Sequence, residues 1–153
     1  MARGTLYLVS EELDEIWMIK DENEAALRIT NEQIESFSRI VDTDKEIQEL
    51  VKRLNGTAEK KTDPEGRPYF EVVFPEGCAS EYFKERFEKF KKLSEKITLK
   101  DFSSNTYQLE FLLNDSYADA VYNEYDAFYT LDSFVRSIVP DFKYYFYNAV
   151  IMR

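Results

Sequence analysis

Histidine is absent from these 153 residues, and cysteine occurs once, as Cys78. The first absence excludes histidine general bases, Ser-His-Asp and Cys-His nucleophile systems, and zinc sites that need imidazole. The second excludes an internal disulfide and fits a reducing compartment. Glycine and proline are scarce, four of each, and stand singly rather than in a linker. One domain over residues 1–153 is therefore expected. The phosphate-cradling patterns G-x-G-x-x-G and G-x-x-x-x-G-K-[ST] are missing, as is the calcium loop D-x-[DN]-x-[DN]-G, so no cofactor and no metal is expected. Long apolar runs are missing too. The run at residues 5–9 is shorter than the about 7–15 residues of a secretory signal. No stretch nears the roughly 20 residues of a membrane span. The expected location is cytoplasmic, without membrane association.

Two things are abundant. Aromatic residues number 12 Phe, 11 Tyr and 1 Trp, and 30 acids face 20 bases for a net charge of −10. With 44% hydrophobic residues the chain has the means to build a core, so the charge excess must be carried by a folded surface.

The order of elements points to α+β with a mostly antiparallel sheet and three to five helices packed on it. Residues 5–9, 16–20 and 25–29 read as short strands. Thr30-Asn-Glu-Gln33 is a capping box, followed by Ile34, Phe37, Ile40 and Val41 at helical spacing. A second box, Thr43-Asp-Lys-Glu46, leads Ile47, Leu50, Val51 and Leu54 along one stripe, with Asn55-Gly56 as a left-handed stop. Asp63-Pro-Glu-Gly66 is a turn joining residues 57–62 to 67–74 as a hairpin. Ser80 is expected to cap a helix with Phe83, Phe87, Phe90 and Ile97 inward. Residues 99–102 and 107–113 read as a strand pair. Tyr117, Val121, Tyr125 and Phe128 lie near helical spacing, and 114–130 is open between helix and strand. A helix at 131–139 and a closing strand at 142–152 complete the chain. With aromatics on both faces, that last strand is either central or an edge covered by a second copy.

The charge is uneven. Residues 1–50 hold 13 acids and 5 bases, 51–100 hold 9 and 12, and 101–153 hold 8 and 3. From Asp101 through Val135 there is no Lys or Arg, and residues 4–19 are likewise free of bases. The seven acids of the longer stretch are Asp101, Glu110, Asp115, Asp119, Glu124, Asp126 and Asp132, interleaved with tyrosines and phenylalanines. Acidic runs are solvated faces in most proteins. Their alternative use is to meet a basic protein surface, with tyrosine as the low-entropy anchor. On that reading Asp115, Tyr117, Asp119, Tyr122, Glu124, Tyr125, Asp126 and Asp132 form the partner-binding set. The partner is a basic protein surface, such as a nucleic-acid-binding groove in which carboxylates stand in for phosphates. Nucleic acid itself is not the expected partner.

Chemistry is thinly represented. Cys78 precedes a helix whose dipole favours a thiolate, but no histidine base accompanies it, so a small half-buried side chain in the turn is the expected role. Carboxylate pairs such as Glu11/Glu12, Asp115/Asp119 and Glu124/Asp126 suit a small enzyme only if they converge across a cleft. Lys84, Arg86, Lys89, Lys91, Lys92, Lys96 and Lys100 interleave with Glu85, Glu88 and Glu95 as a solvated helix face. The expected function is a small acidic binding or inhibitor protein that occludes its partner. In composition alone, that is the class of phage anti-restriction and anti-CRISPR proteins and of immunity proteins. The alternatives are a homo-oligomeric scaffold built on the C-terminal strand and an enzyme using a carboxylate pair.

Overall fold

A computed structural model describes residues 4–13, 37–40, 43–116, 118–123 and 128–152. The strands are β1 (Gly4–Ser10), β2 (Phe37–Ile40), β3 (Thr57–Thr62), β4 (Pro68–Val73), β5 (Ala120–Tyr122), β6 (Phe128–Thr130) and β7 (Lys143–Met152). The helices are α1 (Thr43–Arg53), α2 (Cys78–Lys96), α3 (Leu99–Ser104), α4 (Tyr107–Leu113) and α5 (Leu131–Ser137). Six strands run in the order β3-β4-β7-β1-β5-β6, and β2 joins on β7. Every pairing is antiparallel except β1 with β5. The fold is α+β, as the element order implied.

The closing strand is central. One edge of β7 pairs with β1, and the other pairs with β4 at residues 143–146 and with β2 toward its end. That central position explains aromatics on both of its faces. Tyr144 and Phe146 join the helix-side core with Phe70 and Val72 of β4. On the opposite face Tyr69 meets Tyr145 and Tyr147, with ring centroids at 6.0 and 6.3 Å. Between Phe146 and Ala149 the register against β1 shifts by one residue. This bulge resets the alternation, so Ala149 returns to the helix-side core.

On that side α1 lays down Ile47, Leu50, Val51 and Leu54, the stripe read from the sequence. Acids in its first turn and Lys52 and Arg53 in its last complement the helix dipole. From α5 come Leu131, Phe134 and Val135, and from the start of α2 comes Cys78. Phe74, Phe134, Tyr144 and Phe146 pack mostly edge-to-face at 5.6–6.3 Å, so much of the aromatic excess is core. At the sheet's edge β3 is exposed and carries Glu59, Lys60 and Lys61, charges that discourage pairing with another chain.

Several expectations are corrected. Residues 99–102 and 107–113 are helices, not strands. The cause at α3 is a capping box: Thr98 accepts from the Asp101 N–H at 3.2 Å, and Asp101 accepts from the Thr98 N–H at 3.1 Å. Phe37 and Ile40 belong to a strand rather than a helix, because β7 offers an edge to pair with. The helical spacing at Val121 and Phe128 yields to strands β5 and β6. Helix α2 starts at Cys78, with Gly77 rather than Ser80 at its cap. Phe87 is not inward but exposed, since among the described residues α2 packs chiefly on α4 and α5 rather than on the sheet. The strands expected at 16–20 and 25–29, and the capping box at 30–33, lie outside the described residues.

Candidate functional site

The acids expected to face a partner are drawn into the fold wherever they are described. Asp132, in the first turn of α5, is 1% exposed and accepts three hydrogen bonds. Its Oδ1 accepts from the Tyr82 hydroxyl at 2.8 Å and from Arg86 Nη2 at 3.0 Å. Its Oδ2 accepts from the Ser116 N–H at 2.8 Å and lies 2.9 Å from the same Nη2. Burial raises the Tyr82 hydroxyl pKa, and the hydrogen bond to Asp132 adds to the rise.

Asp115 pairs with Arg136 and accepts from the Thr130 hydroxyl at 3.0 Å. Asp119 accepts from the Thr5 N–H at 2.9 Å, pinning β1 beside β5. Tyr122 is buried in β5. Four of the eight expected partner-binding residues thus serve internal contacts, and two of them, Tyr122 and Asp132, have almost no surface to offer. The other four, Tyr117, Glu124, Tyr125 and Asp126, lie outside the described residues. The carboxylates of Asp115 and Asp119 are each spent on a separate contact. Among the described residues no three His, Cys, Asp or Glu side chains stand close enough to hold a metal ion. Cys78 is buried, and burial pushes its thiol pKa up despite the N–H groups of Cys78 and Ala79 beside it.

What the sequence reading missed lies one segment earlier. Helices α3 and α4 bury no residue at all. Leu99 is 81% exposed, Phe102 65%, Tyr107 66% and Phe111 71%. Single exposed apolar residues are ordinary, but with Leu113 at 60% these are five large ones on two consecutive short helices. The available signal was Thr98-Leu-Lys-Asp101, a capping pattern hidden behind the β-prone letters that follow it.

The second feature is a stack. The guanidinium of Arg86 lies 5.0 Å from the Phe83 ring centroid, and that of Arg136 lies 4.4 Å from it. Asp132 and Asp115 brace the two arginines through Nη2 and Nη1. The stack closes one end of a cavity between α2, α4 and α5. Farther along α2, Lys89 pairs with Glu85 at 3.2 Å, as the interleaved charges implied.

No family model, curated protein or solved structure matches this chain. The site therefore has to be read from its own chemistry. No helix among the described residues is long and apolar enough to cross a membrane.

Proposed function

We propose that this chain is a binding protein of the inhibitor type, which covers a cationic surface of a protein partner with the face formed by α3 and α4. The observation that carries the reading is the exposure of Leu99, Phe102, Tyr107 and Phe111 on two adjacent helices. These side chains supply the apolar centre of an interface, where aromatic residues give most of the binding energy. Asp101 and Glu110 lie on the same helices against one base, Lys100, and no further Lys or Arg occurs until Arg136. A face with that small acidic excess suits a partner whose own apolar patch is rimmed by Lys and Arg. A groove that holds nucleic acid has that character, and occluding it is the inhibitory form of the proposal. The reading keeps the acidic, aromatic stretch as the binding region and moves its centre from 115–132 to 99–113.

Affinity capture on the immobilised chain tests it, with wild type and Phe102→Ser/Phe111→Ser run in parallel and eluted by a salt gradient. The expected result is one discrete partner, held by wild type, lost from the double variant and released as salt shortens the screening length from about 10 Å toward 3 Å. Equal capture by both proteins would overturn the α3–α4 assignment. A self-association that depends on the same residues would replace the foreign partner with a second copy.

A further inference from the structure

We infer that the cavity between α2, α4 and α5 is a ligand site for an amphipathic monocarboxylate, an apolar chain that ends in one carboxylate. Its volume is about 310 Å³, at the lower end of the roughly 300–1,000 Å³ of small-molecule sites. Three phenylalanines of α2 (Phe83, Phe87, Phe90) and two leucines of α4 (Leu112, Leu113) make its walls, and Arg86 and Arg136 are its polar residues. Apolar walls with a few convergent polar groups are the usual build of a site for a mostly apolar ligand.

The arginines define the ligand's head. Each guanidinium carries five N–H donors. Asp132 engages only Nη2 of Arg86, and Asp115 engages only Nη1 of Arg136. Asp132 has no capacity left, since its two oxygens already serve Tyr82, Ser116 and Arg86. Nη1 of Arg86 is buried with no acceptor among the described residues, so the donors that a ligand reaches first are those of Arg136. Arg136 is half exposed, so its remaining donors can be reached from the cavity. A planar carboxylate matches such donors in pairs, which an alcohol or an amide does not.

Charge sets the valence. Asp115 and Asp132 balance the two arginines, so the pair offers directed donors rather than excess positive charge. With the two arginines already balanced, a monoanion fits better than a dianion such as phosphate. The stack on Phe83 and the two aspartates hold the arginines in place before any ligand arrives, which lowers the entropic cost of binding.

Titrating the full chain with decanoate and with decanol, each below its aggregation concentration, tests the assignment through backbone amide shifts. The expected result is saturable binding that moves the amides of residues 83–90 and 112–113, with decanoate about tenfold tighter than decanol, as one charge-assisted hydrogen bond provides. Arg136→Gln is expected to reduce decanoate to the affinity of decanol, and Leu112→Trp to block both by filling the cavity. Phe102→Ser/Phe111→Ser is expected to bind decanoate as wild type does, which separates this site from the protein-binding face. No saturable decanoate binding, or equal affinity for the two probes, would overturn the proposal. So would a preference that survives Arg136→Gln. If Leu112→Trp does not fold, the decanoate-to-decanol ratio in wild type and Arg136→Gln still decides the matter.

Discussion

Nη2 of Arg86 lies 3.0 Å from one carboxylate oxygen of Asp132 and 2.9 Å from the other, across 46 positions of sequence. The pair bolts α2 to α5, and Tyr82 and the Ser116 N–H close the remaining acceptor positions. A carboxylate that composition assigns to an acidic surface is therefore a fully bonded interior group. Its neighbour in the same base-free stretch, Asp115, repeats the arrangement with Arg136. The first pair ties the middle of α2 to α5, and the second ties the segment after α4 to the same helix.

Removing one member of a buried pair leaves the other charge without compensation, which typically costs about 3–5 kcal/mol, and the low end applies because a quarter of the Arg86 side chain is still wetted. Asp132→Ala is thus expected to lower stability by about 3 kcal/mol in urea denaturation. Replacing both partners, Arg86→Met with Asp132→Leu, is expected to recover part of that loss. An effect within ~0.5 kcal/mol for Asp132→Ala would mean that the pair is incidental.

The same site predicts an acid limb. Burial alone would raise the Asp132 carboxyl, but hydrogen bonds from Arg86, the Ser116 N–H and Tyr82 hold it below the usual carboxylate range. Asp63 is likewise lowered, burial being outweighed by the backbone and side chain of Arg67, and Glu71 is lowered first by Lys61. Carboxyls with depressed folded values stabilise the protein above their unfolded values, about 3.9 for Asp and 4.3 for Glu. That contribution disappears as the pH falls through the folded values. The urea midpoint is expected to fall as the pH drops below about 4, with a shallower slope in Asp132→Asn. Parallel slopes for the two proteins would remove Asp132 from the account.

Cys78 combines burial with a raised thiol pKa, so its sulfur is neither exposed nor ionised at neutral pH. Its reaction with dithionitrobenzoate at pH 8 is expected to be far slower in the native chain than in urea-unfolded chain, and to track unfolding. Equal rates in the two states would contradict the burial of this thiol. Burial against the core outweighs the favourable N–H groups at the helix start, in keeping with the packing role expected of this cysteine.

Patterns that depend on one element alone were legible. The α1 stripe, the turn at Asp63–Gly66 and the strand ending at Met152 all follow from periodicity and local turn chemistry. Patterns decided by a partner element were not. Phe37–Ile40 has helical spacing yet pairs with β7, and Val121 has helical spacing yet lies parallel beside β1. The candidate site suffered from the same blindness. The sequence shows a stretch with no base inside it, but Arg86 and Arg136 enter from outside to neutralise its acids. Nothing in the letters 101–135 announces that.

The stop after α1 gives a sharper local test. The Gly56 N–H bonds the Val51 carbonyl at 2.9 Å and the Asn55 N–H bonds the Lys52 carbonyl at 3.1 Å, the paired pattern of a left-handed helix end. The left-handed residue is Asn55, at φ 56°, and not Gly56 as the dipeptide suggests. Gly56 is small for another reason: a Cβ there would sit 2.9 Å from the Val73 carbonyl oxygen and 2.9 Å from the Phe74 ring. Asn55→Gly is therefore expected to be neutral or mildly stabilising, while Asn55→Ala costs about 1 kcal/mol because it loses the short polar side chain that lets asparagine tolerate that conformation. Gly56→Ala is expected to cost about 1–3 kcal/mol through overpacking against β4. Urea denaturation of the three variants separates the two causes. If Gly56→Ala were harmless and Asn55→Gly damaging, the glycine would be the conformational stop after all.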